Sequence, residues 1–263
     1  MASNKVGFGA ILALGLLGAC ASSPAPKAVP APPTSLAEVG ELRPGMGFAK
    51  GYLAPEALPD SLALLPAPPA AGTSAFAADE EALANALQAP ADRFQKATSD
   101  ADLHWPHVLS SYEAILGTPV SGQTTPHTAM LLQRAMADAG LSTYRAKTHY
   151  NRVRPFALKN VPSCTPGDEA ALRNDGSYPS GHTAIGWIIA LVLTDLAPQK
   201  TNELLQRGYD FGQSRVICRV HWKSDVEAGR LIASATFARL QADPVYQAQR
   251  DLARAEVARA LKP

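Results

Sequence analysis

The chain lacks an excess of charge, strand-like patterns and long apolar runs. Its 263 residues carry a formal net charge of +1, so the composition does not predict binding to nucleic acid or broad electrostatic attachment to a membrane. No stretch alternates apolar and polar residues for long enough to predict a β-strand, and no segment repeats at a solenoid period. No apolar run approaches the ~20 residues of a membrane-spanning helix. These absences argue against a polytopic membrane protein, a β-sheet protein and a repeat protein.

Residues 1–20 have the pattern of an export signal, with Lys5 ahead of the apolar run Val6–Leu17 and small residues after it. The sequence Leu-Gly-Ala-Cys that ends at Cys20 resembles the lipobox of bacterial lipoproteins, in which the cysteine becomes the lipidated first residue of the mature chain. A plain secretory signal that is cut after a small residue is the alternative. The lipobox predicts a periplasmic protein that is held at the outer membrane by its N-terminal lipid alone.

Two proline-rich segments precede the predicted helices. Residues 21–39 are rich in alanine and proline and cannot build a core, so they predict a tether ahead of a folded domain at 40–263. Leu53–Pro69 mixes prolines with apolar residues, which predicts an irregular arm laid over the helices.

The rest of the chain is predicted to be helical, because its apolar residues recur at three- and four-residue spacing. The expected fold class is all-α, a compact helical bundle around a central buried helix. Ala184–Leu193 is apolar on every side and predicts that central helix. The oligomeric state stays open, although the amphipathic C-terminal helix could serve a homodimer. The predicted helices are Ser74–Leu87, Ala91–Asp102, Pro106–Leu116, Thr125–Ala139, Ser142–Val153, Gly181–Leu196, Thr201–Ile217, Lys223–Leu240 and Pro244–Leu261.

Three groups of polar residues carry the candidate chemistry, and the first is Gly176–Thr183 (GSYPSGHT), directly before the central helix. Pro179 near the helix start and Gly181 beside it leave backbone N–H groups able to face an anion, and the helix dipole adds positive potential there. Taken alone, the segment could be no more than a helix cap with a surface histidine, His182.

The second group is Lys147 and Arg154, seven residues apart at the end of the predicted helix Ser142–Val153. A separation of two helical turns would place both cationic groups on one face, and Pro155 would end the helix. Two solvated basic residues on an outer face are the alternative.

The third group is Ser214, Arg215, His221 and Asp225. The last two are four residues apart, which lets the carboxylate hold one imidazole nitrogen and leaves the other free as a base or nucleophile. Arg215 would point elsewhere on an unbroken helix, so a shared site requires a bend between Cys218 and His221. A histidine–aspartate pair at this spacing can equally be a structural hydrogen bond.

Together the three groups resemble the signature of the type 2 phosphatidic acid phosphatase superfamily, which also contains the vanadium-dependent haloperoxidases. The matching blocks are K-x6-RP from Lys147, PSGH from Pro179 and SR-x5-H-x3-D from Ser214. Gly176–Thr183 is similar to the signature of the class A bacterial non-specific acid phosphatases, and the resemblance extends over about Gly51–Leu240. It implies a helical fold of the acid phosphatase and vanadium haloperoxidase type.

The resemblance implies a phosphomonoesterase that works through a phosphohistidine intermediate. His221 would attack phosphorus, Asp225 would orient its ring, and His182 would protonate the leaving oxygen on the acid side of neutral. Cationic side chains would neutralise the phosphoryl group without a metal or other cofactor. The substrates would be small phosphate monoesters whose alcohol is not specified, and transfer to an alcohol instead of water is possible. The expected phosphate-binding residues are Lys147, Arg154, Ser180, Gly181 and Arg215.

Three alternatives stay open at this point. A lipid or pyrophosphate phosphatase of the same superfamily is usually polytopic, whereas this chain has one apolar run, at its N-terminus. A vanadium haloperoxidase would use the same anion pocket, but Gly176–Thr183 is closer to the acid phosphatases. A lipoprotein with an inert helical bundle is the third alternative.

The chain has three cysteines. With Cys20 lipidated, an exported chain meets an oxidising compartment in which Cys164 and Cys218 are expected to form a disulfide. The bridge would fasten the loop ahead of Gly176–Thr183 to the segment that carries His221. Two buried free thiols are the alternative.

Overall fold

The structure, a computed structural model, describes Met1 and residues 31–262. These residues contain thirteen α-helices and no β-strand, which confirms the predicted all-α class. None of the described helices is both long and apolar enough to cross a membrane. The predicted export signal with Cys20, and the tether up to residue 30, lie outside the described residues. The helices are α1 (Leu36–Val39), α2 (Ser61–Leu64), α3 (Ser74–Ala86), α4 (Ala91–Ser99), α5 (Ser110–Leu116), α6 (Pro126–Leu141), α7 (Tyr144–Tyr150), α8 (Pro155–Lys159), α9 (Glu169–Leu172), α10 (Gly181–Leu196), α11 (Thr201–Ile217), α12 (Lys223–Leu240) and α13 (Pro244–Ala260).

Helix α10 is the predicted central helix. Its sequence is apolar on all sides, and it packs against α6, α11, α12 and α13. Ile188, Ile189 and Val192 are fully buried within this packing. The helix begins after Ser180, whose hydroxyl accepts a hydrogen bond from Thr183 N at 3.3 Å. The capping hydroxyl fixes where the first turn of α10 starts.

Two glycines let α11 and α12 approach α10 closely. A Cβ atom at Gly208 of α11 would lie 2.6 Å from Ala190 Cβ, and one at Gly229 of α12 would lie 2.5 Å from Ser180 O. Both distances are shorter than the closest approach of a carbon atom to a non-bonded heavy atom in a packed interior. The glycine in α12 therefore brings that helix against the first turn of α10, where Ser180 N donates to Asp225 O at 2.9 Å.

The proline-rich arm Leu53–Pro69 crosses the helices as predicted, with one turn of α-helix, α2, inside it. At its start, Tyr52 N and Leu53 N donate to the Asp138 carboxylate of α6 at 2.8 and 3.2 Å. At its far end, Tyr178 OH donates to Pro66 O at 2.8 Å. The arm is thus fastened at both ends, and its second contact holds the segment ahead of α10.

The compact unit begins at Ala31, nine residues earlier than the predicted domain start at 40. Gln249 Nε2 of α13 donates to Pro33 O at 2.8 Å, so the last part of the predicted tether packs on the domain. Helix α13 itself packs against α6 and buries Tyr246, Ala253 and Val257. Its apolar face, which the sequence offered for a homodimer, is therefore used within the chain.

The predicted helix Ser142–Val153 is wrong at its C-terminal end. Helix α7 stops at Tyr150 because Asn151 adopts a left-handed conformation with a φ of 39° and donates its N–H to Lys147 O. Arg154 has extended backbone, as the residue before a proline favours, and Pro155 begins α8 instead of ending a helix. Lys147 and Arg154 consequently do not share one helical face.

The predicted disulfide between Cys164 and Cys218 is present, with a Cα–Cα distance of 4.7 Å. Cys164 N also donates to Cys218 O at 3.2 Å, so the loop before α9 lies directly against the end of α11. Because the bridge joins residues 54 positions apart, loop closure destabilises the unfolded chain by about 4 kcal/mol.

Candidate active site

The chain bends sharply after α11, where the sequence required a bend. Arg219 adopts a positive φ of 64°, and the N–H groups of Val220 and His221 both point to Arg215 O, at 3.2 and 3.3 Å. The bend brings the end of α11 beside the start of α12 and the first turn of α10. As a result, the structure gathers side chains from all three predicted groups into one buried site. The buried members are Lys147, Arg154, Ser180, Arg215, His221 and Asp225.

The imidazole of His221 is held from both sides. Its Nδ1 lies 2.8 Å from Ser177 O, and its Nε2 lies 3.1 Å from Arg154 Nη1. A carbonyl oxygen can only accept and a guanidinium can only donate, so Nδ1 carries the proton and Nε2 presents its lone pair. Burial, followed by the charges of Arg154 and Lys147, lowers the pKa of His221 well below its usual value. Nε2 is therefore unprotonated and faces the cations.

Asp225 lies close to His221 but does not provide the shortest contact to its ring. Its Oδ2 is 3.5 Å from His221 Nδ1, farther than Ser177 O, and it accepts from Trp222 N at 2.8 Å. Its Oδ1 accepts from Arg152 Nη1 at 2.6 Å. Burial raises the pKa of Asp225, and Arg152 acts in the opposite direction by favouring the anion. Ser177 O thus makes a shorter contact with Nδ1 than Asp225, the residue for which the sequence predicts an orienting role.

Lys147 and Arg154 meet at a common pair of acceptors. Lys147 Nζ donates to Gly176 O at 2.7 Å and lies 3.8 Å from Asp175 Oδ2, which Arg154 Nη2 contacts at 2.9 Å. Burial lowers the pKa of Lys147 to about 8, and the neighbouring Asp175 carboxylate opposes that shift. Asp175 therefore helps to keep a buried ammonium charged.

Arg215 is almost fully buried, yet no carboxylate of the described residues pairs with it. Its Nη1 lies 3.8 Å from Cys218 Sγ, and its Nε has no hydrogen-bond partner in this part of the chain. Burial and then the charge of Arg154 lower the pKa of Arg215 to about 10. A buried cation with unused donors is costly unless an anion arrives, so Arg215 favours a bound anion.

Ser180 and Gly181 lie at the start of α10, as the sequence predicted. The Ser180 hydroxyl accepts from Thr183 N and from Thr183 Oγ1, the latter at 2.9 Å, which leaves its own proton free to donate. Gly181 is the first residue of α10, where backbone N–H groups lack partners inside the helix. These donors and the helix dipole add to the positive potential of the site.

His182 lies on the first turn of α10, with its Nε2 3.1 Å from Ala101 O. Its Nε2 therefore carries a proton, which leaves Nδ1 to gain or lose the second one. Burial, and after it the charge of Arg215 and the neighbouring His221 ring, lower the pKa of His182 well below its usual value. His182 also lines a cavity of 460 Å³ whose walls include Phe48, Leu103 and Asp168. None of the other predicted site residues lines this cavity.

Sequence reasoning missed three residues that contact the site. Ser177 accepts from His221 through its backbone carbonyl, which any residue type could provide, so no sequence signal exists. Asp175 could have been noticed only as an acidic residue next to Gly176–Thr183. In the sequence, Arg152 is one of several basic residues in this region and nothing marks it. In the structure it pairs with Asp225, 73 positions away along the chain.

The arrangement is suited to an anion that reacts with an imidazole. Arg154 contacts the unprotonated Nε2 of His221, and the charges of Lys147 and Arg215 also act on this ring. No cluster of three histidine, cysteine, aspartate or glutamate side chains that could hold a metal ion occurs among the described residues. The chemistry that this chain's own groups can perform is nucleophilic attack on a tetrahedral oxyanion.

Comparisons with known proteins identify a family and several named relatives. A family model described as the PAP2 superfamily matches residues 128–246, a range that contains every predicted catalytic and phosphate-binding residue. The non-specific acid phosphatase of Providencia stuartii is 43% identical over 205 residues, which are 77% of this chain and 83% of that protein. The non-specific acid phosphatase of Salmonella typhi is 41% identical over 198 residues, 74% of this chain and 79% of that protein. The acid phosphatase of Zymomonas mobilis is 41% identical over 202 residues, 76% of each chain.

Proposed function

This chain belongs to the PAP2 superfamily, and from that premise we propose that it is an acid phosphatase that hydrolyses phosphate monoesters through a phosphohistidine on His221. The observation that carries the proposal is that one site holds both an unprotonated Nε2 and a buried Arg215 that pairs with no carboxylate of the described residues. Relatives named non-specific acid phosphatase support the same reaction class.

The first step forms one bond and breaks another at phosphorus. The phosphate would bind between Lys147, Arg154 and Arg215, with Ser180 Oγ and the N–H groups at the start of α10 as further donors. His221 Nε2 attacks phosphorus in line, and the ester oxygen departs with its electron pair. His182 gives that oxygen a proton, so the alcohol leaves neutral.

The second step regenerates the free imidazole. Water attacks the phosphohistidine from the side that the alcohol left, and His182, now neutral, accepts its proton. The bond between phosphorus and Nε2 breaks, and inorganic phosphate remains among the three cations. These cations stabilise the negative charge on the equatorial oxygens in both transition states. Such electrostatic stabilisation accelerates phosphoryl transfer more than covalent chemistry by the protein does.

The proton on His182 has to arrive with the substrate. In the free site, burial and two neighbouring groups lower the pKa of His182, so the neutral ring is favoured. A bound phosphate brings negative charge into the same site, and an opposite charge raises the pKa of an imidazole. Substrate binding and protonation of His182 are therefore coupled, which favours turnover on the acid side of neutral.

The cavity in front of His182 provides room for the alcohol. In-line displacement places the leaving group opposite His221, and the 460 Å³ cavity is lined by His182 but not by His221. Its lining mixes apolar residues such as Phe48 and Leu103 with the carboxylate of Asp168. Such a lining does not select one particular alcohol, which supports a broad specificity for small phosphate monoesters.

The function is tested by assaying the purified domain with p-nitrophenyl phosphate between pH 4 and 9. We expect hydrolysis that vanadate inhibits, since a five-coordinate vanadate resembles the transition state, and that a chelator leaves unchanged. A haloperoxidase would instead gain bromide oxidation on addition of vanadate and peroxide. Absence of hydrolysis with every phosphate monoester offered would refute the proposal.

Replacing His182 by alanine is expected to affect substrates unequally. For an alkyl phosphate, whose alkoxide leaves poorly without a proton, kcat should fall about 10³-fold. For p-nitrophenyl phosphate, whose phenolate leaves readily, the loss should be about tenfold or less. Steady-state kinetics on the two substrates provide the measurement, and equal losses on both would remove the general-acid role.

For the N-terminus we propose that residues 1–20 direct export, that Cys20 carries the lipid and that the following residues form a short tether to the periplasmic domain. The lipobox-like sequence at residues 17–20 supports this location. The bacterial origin of the named relatives, and a disulfide of the kind that forms in an oxidising compartment, support it as well.

A further inference from the structure

Arg152 contacts Asp225 on the Nδ1 side of His221, and the sequence predicted no role for it. It belongs to the loop between α7 and α8, and its side chain is only 9% exposed. Its guanidinium packs over the Trp222 ring at 5.3 Å from the ring centroid and over Phe76 at 6.0 Å. It does not contact the phosphate-binding cations. The question is what an arginine buried at this position holds in place.

The guanidinium bridges two buried carboxylates from different helices. Nη1 donates to Asp225 Oδ1 of α12 at 2.6 Å and to Ser224 Oγ at 2.8 Å. Nη2 donates to Asp79 Oδ2 of α3 at 2.7 Å. Asp79 in turn accepts from Ser224 N at 2.8 Å and from Ser224 Oγ at 2.6 Å. Arg152 therefore ties the first turn of α12 to α3 through charge-assisted hydrogen bonds.

The backbone of Arg152 holds the other group that contacts His221. Ser177 N donates to Arg152 O at 2.8 Å, and Ser177 O accepts from His221 Nδ1 at 2.8 Å. Asp225, which the guanidinium holds, lies 3.5 Å from the same Nδ1. Both groups that face Nδ1 are thus fixed by one residue, one through its side chain and one through its main chain.

We propose that Arg152 is a positioning residue that keeps His221 in the orientation needed for attack, by holding Asp225 as an anion beside Nδ1. The inference rests on the proposed function, because it assigns His221 Nε2 as the nucleophile. Without Arg152, Asp225 Oδ1 would lose its donor and the buried carboxylate would have to rotate or take up a proton. Either change weakens the anion that stabilises positive charge on the ring as Nε2 bonds to phosphorus.

The charges around Asp225 give the direction of a pH effect. Arg152 faces it from the α7–α8 loop, His221 from the turn before α12, and Lys147 and Arg154 act on it from the phosphate side. Asp79 of α3 faces the far side of Arg152. Removing the Arg152 charge raises the pKa of Asp225, so the carboxylate becomes protonated at a higher pH. The acid limb of the kcat profile, which reports groups that must be unprotonated, then moves to higher pH.

The test compares Arg152→Gln and Arg152→Lys with a matched control, Arg134→Gln. Arg134 of α6 is also a partly buried arginine stacked on an aromatic ring, Tyr52, but it donates to Gly51 O, ahead of the proline-rich arm. We expect Arg152→Gln to lower kcat about 100-fold while KM changes less than about threefold, since a misplaced nucleophile affects the chemical step. The acid limb should move up by about one pH unit. Arg152→Lys should recover part of both effects, and the control should change stability alone.

A double-mutant cycle separates positioning from mere stability. In the Asp225→Asn background, Arg152→Gln should cost much less than its 100-fold effect in the wild type, because the group it acts through is already altered. Equal losses in both backgrounds with an unmoved pH profile would overturn the proposal, as would a wild-type kcat in Arg152→Gln. If Arg152→Gln does not fold, Asp79→Asn removes one anchor of the guanidinium and should give a smaller loss of kcat, while the acid limb should not move up because Arg152 keeps its charge.

Nitrogen-15 NMR of histidine-labelled protein provides a readout that needs no turnover. The wild type should show the His221 Nδ1–H tautomer, and Arg152→Gln should change the Nδ1 chemical shift, because the Asp225 anion beside that N–H is weakened while Ser177 O still accepts from it. A wild type that hydrolyses no monoester would defeat the proposed function, while these spectra would still decide whether Arg152 fixes the ring. An unchanged His221 Nδ1 chemical shift in Arg152→Gln would defeat the positioning role alone.

Discussion

Replacing His221 by alanine should lower kcat for p-nitrophenyl phosphate by about 10⁴-fold or more, the largest effect expected from any single side chain. The variant loses the atom that bonds to phosphorus, and a water molecule in its place has no comparable nucleophilicity or orientation. Brief reaction with ³²P-labelled substrate, quenched in acid or in base, should show a base-stable and acid-labile phosphoenzyme in the wild type and none in the variant.

The matched control is His149→Ala, which removes an exposed histidine on α7 that touches no site residue. It should keep wild-type kcat and the labelled intermediate. Peptide mapping that located the phosphoryl group on any residue other than His221, or label that survived in His221→Ala, would show that another side chain is the nucleophile.

Replacing Arg215 by alanine should lower kcat/KM by about 10³-fold and weaken vanadate inhibition by a similar factor. Arg215 has no carboxylate partner among the described residues, so its charge and donors are directed to the bound anion more than to the protein. Lys147→Ala and Arg154→Ala should act in the same direction. Their effects should be smaller, because part of their charge is already balanced by Asp175.

Lys159→Ala serves as the control for these charge deletions, since Lys159 is an exposed lysine of α8 paired with Glu80. It should leave both kcat/KM and the vanadate inhibition constant unchanged. If all three cation variants still bound vanadate as tightly as the wild type, these residues would be structural charges and the anion would have to bind elsewhere.

Local sequence signals predicted most of the helices. Two predicted helices, Thr201–Ile217 and Lys223–Leu240, have the same first and last residues in the structure. Each buries an apolar face whose period the sequence shows, and each is followed directly by a turn. The error at Asn151 has a local cause as well. Nothing in the sequence distinguishes an asparagine that enters the left-handed region from one that continues the helix. Pro155 predicts the end of one helix, although in the structure it begins the next, α8.

The sequence predicts the site residues that belong to short motifs, but not those that contact the site from distant parts of the chain. The spacing of Arg215, His221 and Asp225 indicated that the chain must bend, and Arg219 provides that bend with its positive φ. The contacts of Arg152 join α3, a loop and α12, which are far apart along the chain. Such pairs have no period or spacing, so only the packed fold reveals them.

On the proposed export route, the Cys164–Cys218 bridge would link catalytic competence to the place where the chain resides. In a reducing cytoplasm both thiols stay free, and the loop that leads toward Gly176 loses its covalent link to the turn that presents His221. On the proposed export route, a newly made chain would be a poor catalyst while it is still surrounded by the cell's own nucleotides and sugar phosphates. It would mature only after leaving them, so a single covalent bond would shield the metabolites of the cell that makes the enzyme.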